Sequence, residues 1–181
     1  MKYFILNLIL IIVFTTVTVS AQESNYPFYE QLAFNFYQDT ILKSYPVKKK
    51  ISLYPYRLDF KIHLKSLENP GCITGIDSNS QFKPFLTYET AQSNFDSGKL
   101  DLEVATINKH QFRIKKLHTK NRYPQLFITS PYLLNRDTDK VFVTIQQQNS
   151  ETEGVNYHFV LTPKGTIIDW CRTEYSFYIE Y

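Results

Sequence analysis

From Gln125 onwards the chain is a succession of short alternating segments set off by tight turns, and that pattern limits the fold more than any other feature. Gln125 to Thr129, Lys140 to Gln147, Asn156 to Thr162, Thr166 to Trp170 and Thr173 to Tyr181 each read as a strand. Pro163-Lys164-Gly165 supplies a hairpin turn, with glycine taking the positive φ such a turn needs. Strands joined this tightly pair with their neighbours, and they pair antiparallel. In the third segment Tyr157, Phe159 and Leu161 fall on one face, and Asn156, His158 and Thr162 on the other. That alternation predicts one buried and one wet face, with His158 on the wet side.

Upstream the period changes. Phe28, Leu32, Phe36 and the pair Tyr37/Ile41 recur at three- and four-residue spacing, which predicts an amphipathic helix. Ser24 or Asn25 is placed to cap it, Pro27 suits its first turn, and Pro46 stops it. Leu58, Phe60, Ile62 and Leu64 alternate with Asp59, Lys61, His63 and Lys65, so a strand is expected over residues 50–67. Pro55 is then expected at an edge or ahead of the pairing. Asn69-Pro70-Gly71 turns the chain, residues 68–100 read mostly as loop, and Phe85 to Phe95 suggests a short helix. Leu100, Leu102 and Val104 alternate again, as do Phe112 and Ile114. A helix first and strands after give an α+β class: an N-terminal helix packed on a curved antiparallel sheet, as in cystatin-like or NTF2-like folds by analogy.

Residues 1–21 carry Lys2, then an apolar run from Phe4 to Val19, then Val19-Ser20-Ala21 ahead of Gln22. This is the layout of a cleaved signal peptide, and the run falls short of the ~20 residues that span a bilayer. No cysteine stands at the cleavage point to take a lipid. A periplasmic or secreted destination is expected, with a single domain over residues 22–181 and no transmembrane segment after cleavage. The whole chain carries a formal charge of +3, part of it from Lys2 in the leader, so the remainder is close to balance. That argues against a nucleic-acid partner, even with the basic groups Lys48-Lys49-Lys50 and Lys115, Lys116, Lys120, Arg122. In an oxidising compartment Cys72 and Cys171 can pair as a disulfide, although two separate buried thiols fit the sequence as well.

Asn135, Asp137 and Asp139 sit at alternate positions, like the first ligands of an EF-hand loop. Lys140 stands where that loop requires glycine and Gln146 where it requires glutamate, so the stretch reads as a polar turn and no metal site is expected. His63, His110, His118 and His158 lack metal-ligand spacing, and no nucleophile elbow, phosphate loop or dinucleotide fingerprint is present. No catalytic residue or cofactor is expected. The 14 tyrosines and 14 phenylalanines should mostly fill the core. A minority, Tyr175, Tyr178 and Tyr181 near the C-terminus, together with His158, are the candidates for a binding surface.

Ser130-Pro131, Asp137, the strand Val141 to Ile145, Gly154, the strand Tyr157 to Leu161, Lys164-Gly165 and Trp170 together resemble a pattern found in exported proteins and lipoproteins of Gram-negative bacteria. Lys140 stands where that pattern has a small residue. The resemblance implies an exported β-meander domain and carries no activity with it. Two functions remain open from the sequence. One is a non-enzymatic binder of another envelope or extracellular protein, such as a periplasmic immunity or inhibitor protein. The other is a small-ligand-binding protein or hydrolase with its site in the sheet cavity.

Overall fold

A computed structural model describes residues 26–58, 73, 80–85, 98–116, 121–134 and 137–176. Within them a helical segment lies across one face of a mixed sheet, which makes the class α+β. The helical segment runs as α1 (Tyr29–Phe36), a π-helical turn (Tyr37–Ile41) and α2 (Leu42–Ser44). The strands are β1 (Ile51–Leu58), β2 (Phe82–Pro84), β3 (Phe112–Ile114), β4 (Gln125–Thr129), β5 (Tyr132–Leu134), β6 (Asp137–Gln148), β7 (Glu153–Leu161) and β8 (Ile167–Ser176).

Central to the sheet is β6. On one side it pairs with β7 over its whole second half, Val141 opposite Leu161 through Gln148 opposite Gly154. On the other side β5 and β4 lie end to end along it, Tyr132 opposite Phe142 and Ile128 opposite Ile145. β8 extends the sheet beyond β7, and the turn between them holds Gly165 at φ 87°. A Cβ at Gly165 would meet Leu32 Cδ1 at 2.5 Å and Pro27 Cγ at 2.8 Å, so the turn and the start of the helix close on each other only because that side chain is absent.

The sheet departs from the antiparallel expectation at its other end. β1 runs parallel to both β4 and β3 and lies between them. Parallel neighbours need a long connection, and alternation within a strand carries no information about its partner's direction. Pro55 sits inside β1, where the register with β4 shifts between Leu53 and Arg57. The bulge spares its missing N–H a ladder bond, and its carbonyl accepts from Leu100 N at 2.8 Å. Leu100 to Val104 is an irregular run rather than a strand. Leu100 and Leu102 are buried, with Leu100 N held by β1 and Glu103 N donating to Gln31 Oε1 of the helix at 2.7 Å, so the segment bridges strand and helix without forming a ladder of its own. The two strands expected over residues 166–181 are one strand as far as Ser176.

The helix buries part of the stripe its apolar spacing suggests, Tyr37 and Ile41, and fills the rest with other residues. Tyr29, Ala33, Tyr37 and Ile41 face the sheet, and Phe28, Leu32 and Phe36 flank them half-buried. Two phenols reach the bottom because each hydroxyl has a partner there. Tyr29 OH donates to Pro163 O at 2.7 Å, and Tyr37 OH donates to Gln147 Oε1 at 2.5 Å. Residues four apart drift by about 40° per step around an α-helix. The wider π turn from Tyr37 takes out that drift and returns Ile41 to the same face. Pro27 precedes the helix instead of opening it, and Phe28 at the cap position makes no side-chain capping bond. Ser24 and Asn25 lie outside the described residues, as do residues 59–71 and the expected helix beyond Phe85.

Glu30 is fully buried beside this stripe because Arg57 Nε of β1 lies 2.6 Å from its Oε1. Arg57 also donates to Lys99 O at 2.9 Å and lies 5.9 Å from the centre of the Phe28 ring. Breaking one half of such a pair strands the other charge in the core. Glu30→Ala is therefore expected to cost ~3–5 kcal/mol, whereas Glu30→Leu with Arg57→Met, which removes both charges, costs far less. Urea unfolding midpoints of the three chains check this.

Candidate functional site

The face of the sheet away from the helix carries a second, smaller cluster of Ile73, Tyr132, Leu134, Phe142 and Val160, with Cys171 packed against it. Cover on both faces explains why β7 is buried almost throughout and why the expected wet face is missing. His158 is 1% exposed. A row of hydroxyls on neighbouring strands makes its burial tolerable. Thr144 Oγ1 of β6 lies 2.9 Å from His158 Nδ1 and 3.0 Å from Tyr132 OH of β5. On the far side Thr173 Oγ1 of β8 lies 3.2 Å from His158 Nε2. Thr144 N in turn donates to Thr129 Oγ1 at 2.9 Å.

Tyr132, Thr144, His158 and Thr173 thus form one chain of hydrogen bonds across four strands. A neutral imidazole donates through one nitrogen and accepts through the other, so the chain has a single direction whichever end starts it. At its centre both ring nitrogens of His158 are taken by threonine hydroxyls. The adjacent cross-strand row is Gln146, Asn156 and Thr173. Asn156 is 2% exposed, and its Oδ1 accepts no hydrogen bond among the described residues. Tyr175 lies over Gly154 in the next position, so close that a Cβ there would overlap the phenol and come within 2.6 Å of Gln147 O.

Tyr175 is therefore half-buried against its own sheet, and the other two candidate tyrosines, Tyr178 and Tyr181, lie outside the described residues. So does Asn135, whereas Asp137 and Asp139 belong to the start of β6, with Asp137 opposite Leu134 across the hairpin. Among the described residues no group of three or more His, Cys, Asp and Glu is placed to hold a metal. Cys171 is disulfide-bonded, and Cys72 lies outside the described residues. No described helix is long and apolar enough to cross a membrane.

A surface the sequence did not single out lies along β8 where the helix ends. Trp170 packs its ring 6.2 Å from Phe36, at the margin of the core. Two residues on, Arg172 sets its guanidinium 5.0 Å over the Tyr45 ring and reaches Glu174 Oε1 at 2.6 Å. Tyr45 is 44% exposed, and Ile168, carried outwards where the register shifts, is 51% exposed. Trp, Tyr and Arg standing together on a wet rim are the side chains most often found at the centre of protein interfaces. Tyr45 follows the helix and belongs to no stripe or alternation. Its neighbour on β8 is distant in sequence, which is why spacing did not reveal the cluster.

No protein-family model, curated protein or solved structure matches the chain.

Burial pushes the Tyr29 and Tyr175 phenols from 10.0 up to about 12, and it raises Tyr37, Tyr132 and Tyr157 as well. Below pH 10 these phenols are neutral in both folded and unfolded chains. Above it the unfolded chain gives up protons that the folded chain keeps, so stability falls as pH rises towards 12. Each tenfold difference in proton affinity is worth about 1.4 kcal/mol. Urea midpoints are expected to hold from neutral pH to about 10 and then drop steeply, with tyrosinate absorbance rising together with unfolding.

Proposed function

We propose that the chain is an exported, non-enzymatic binding protein that engages another envelope or extracellular protein through the rim of Tyr45, Ile168, Trp170, Arg172 and Glu174. The carrying observation is a contrast in access. The side chains that resemble chemistry, His158 with Thr144 and Tyr132, are sealed between strands, while aromatic and charged groups of the interface type stand exposed at the end of the helix. An immunity or inhibitor role, with a toxin or hydrolase as partner, is one form of this reading. The fold that goes with it is a helix across a curved sheet, after the manner of cystatin-like or NTF2-like domains.

Capture tests it: tagged protein, cross-linked mildly in native envelope and medium, with its partners read by mass spectrometry. One dominant partner is expected, and Arg172→Ala or Tyr45→Ser should weaken its capture about tenfold or more. His158→Gln, which alters the sealed row alone, should leave capture unchanged in chains that fold. Capture that ignores the rim and fails with His158→Gln would replace this reading with a site inside the sheet. A specific observation favours that second reading: among the described residues the buried Asn156 Oδ1 accepts no hydrogen bond, and a small ligand with a donor group would supply one.

Export also bears on the cysteines. We assign Cys72 as the partner of Cys171, a bond suited to an oxidising compartment and, in the chain-entropy model, worth about 4–5 kcal/mol for a loop of that length. Peptide mapping without reductant should recover one linked pair containing Cys72 and Cys171. A linked pair of two Cys171 peptides would refute the assignment.

A further inference from the structure

Two stretches of the chain, residues 40–58 and 104–136, contain no aspartate or glutamate. They are far apart in sequence, and the parallel strands bring them together. β1 lies between β3 and β4 and runs in the same direction as both, with Ile51 opposite Phe112 and Ser52 opposite Gln125. The residues that lead into the three strands therefore come side by side. Lys48-Lys49-Lys50 leads into β1, Lys109 stands just ahead of β3, and Arg122 just ahead of β4. Ser52 ties the three entries together. Its Oγ accepts from Arg113 Nε at 2.8 Å and donates to Arg122 O at 3.0 Å. Lys115 meets neutral groups, donating to Asn121 Oδ1 at 2.6 Å and Gln125 Oε1 at 3.2 Å, with its Nζ 5.3 Å from the centre of the Tyr54 ring.

Lys48, Lys49, Lys50, Lys109 and Arg122 are all exposed. Among the described residues none of them forms an ion pair, and neither does Arg113 or Lys115. The chain as a whole holds 20 Lys and Arg against 17 Asp and Glu, so charge gathered at this end leaves an excess of acid elsewhere. Acids mark the border. Asp39 is on the helix, next to Gln38, whose Oε1 accepts from Asn108 N at 2.9 Å. Glu151 and Glu153 stand where β6 turns into β7, beyond β4. Positive groups held close together without counter-charges raise the local potential and draw in an anionic body.

We propose that this end of the sheet docks on an anionic lipid surface. The site is separate from the protein partner assigned to the rim and stands without it. Lysine predominates here, and its ammonium is a compact charge on a flexible stem, which suits headgroups that move. Arginine, whose rigid fork suits phosphates held in fixed positions, is the minority. The strand entries lie side by side, so a plane of headgroups meets their charges together. Between Arg113 and Lys115, Ile114 is 51% exposed. An apolar side chain among cations gains from the boundary between headgroups and acyl chains, and gains nothing from the phosphates of a nucleic acid.

Co-sedimentation with vesicles tests this on protein recovered after expression of the full chain. One set of vesicles contains phosphatidylglycerol mixed with phosphatidylcholine, and the other phosphatidylcholine alone. Binding to the anionic set is expected, weakening as salt is added. Lys48→Ser, Lys49→Ser and Lys50→Ser together should lower it about a hundredfold, since each lysine near such a surface contributes about fivefold. Lys164→Ser removes an exposed lysine at the β7–β8 turn, the opposite end of the sheet, and should leave binding nearly unchanged. Equal binding to the two sets, or anionic binding that the triple variant keeps, would overturn the proposal. So would binding to duplex DNA at the same salt that is tighter than binding to the anionic vesicles and lost in the triple variant, which would assign the surface to nucleic acid. Urea midpoints show whether the variants fold. If the triple variant does not, Lys109→Ser with Arg122→Ser decides in its place: weakened anionic binding supports the surface, and unchanged binding overturns it.

Discussion

Two phenol groups on one side of a helix set the terms for the rest of the molecule. Tyr29 and Tyr37 are both fully buried, and a hydroxyl taken that deep must find a partner or cost more than its ring gains. Each finds one on the sheet, at the β7–β8 turn and on β6. These two points fix the helix in position and rotation across the same three strands. The π turn follows from that rotation, since it keeps Ile41 in line with them. So does the burial of Glu30, which is carried inwards beside Tyr29 and meets Arg57. Gln31 is likewise turned towards the loop it holds, accepting from Glu103 N.

The sheet shows how far local pattern reaches. β4 was legible residue for residue, and so was the turn at Pro163-Lys164-Gly165, because the alternation and the turn chemistry there are both local. The end of the helix's facing stripe, Tyr37 and Ile41, was legible, but the burial of Tyr29 in preference to Phe28, Leu32 and Phe36 was not. Hydropathy ranks Phe above Tyr, whereas the sheet offers hydrogen-bond partners where the tyrosines point. His158 was misplaced for a related reason. Alternation assigns a polar residue to water, but the second face of this sheet is covered, and Thr144 and Thr173 on adjacent strands supply what water would have given. The parallel arrangement of β1 depends on connections of many residues, which leave no mark on any single strand.

A division of labour between the two faces follows. The helix side carries the larger core and provides rigidity. The opposite side combines a small apolar cluster with polar rows running across the strands. Such rows tie neighbouring strands to one register, since a slip of one residue would turn His158 and both threonines to the other face. In the proposed binding role, recognition falls to the margin, where β8 meets the end of the helix and where changes of side chain disturb little of the interior.

Gly154 and Tyr175 lie opposite each other on β7 and β8, and the phenol occupies the space a side chain at 154 would fill. Shrinking the ring at 175 removes one obstacle to a methyl group at 154 and leaves the other, the Gln147 carbonyl oxygen 2.6 Å from where that methyl would stand. Glycine at 154 is therefore held from two sides, by the ring across the strand pair and by the backbone of β6, and no single change elsewhere releases it.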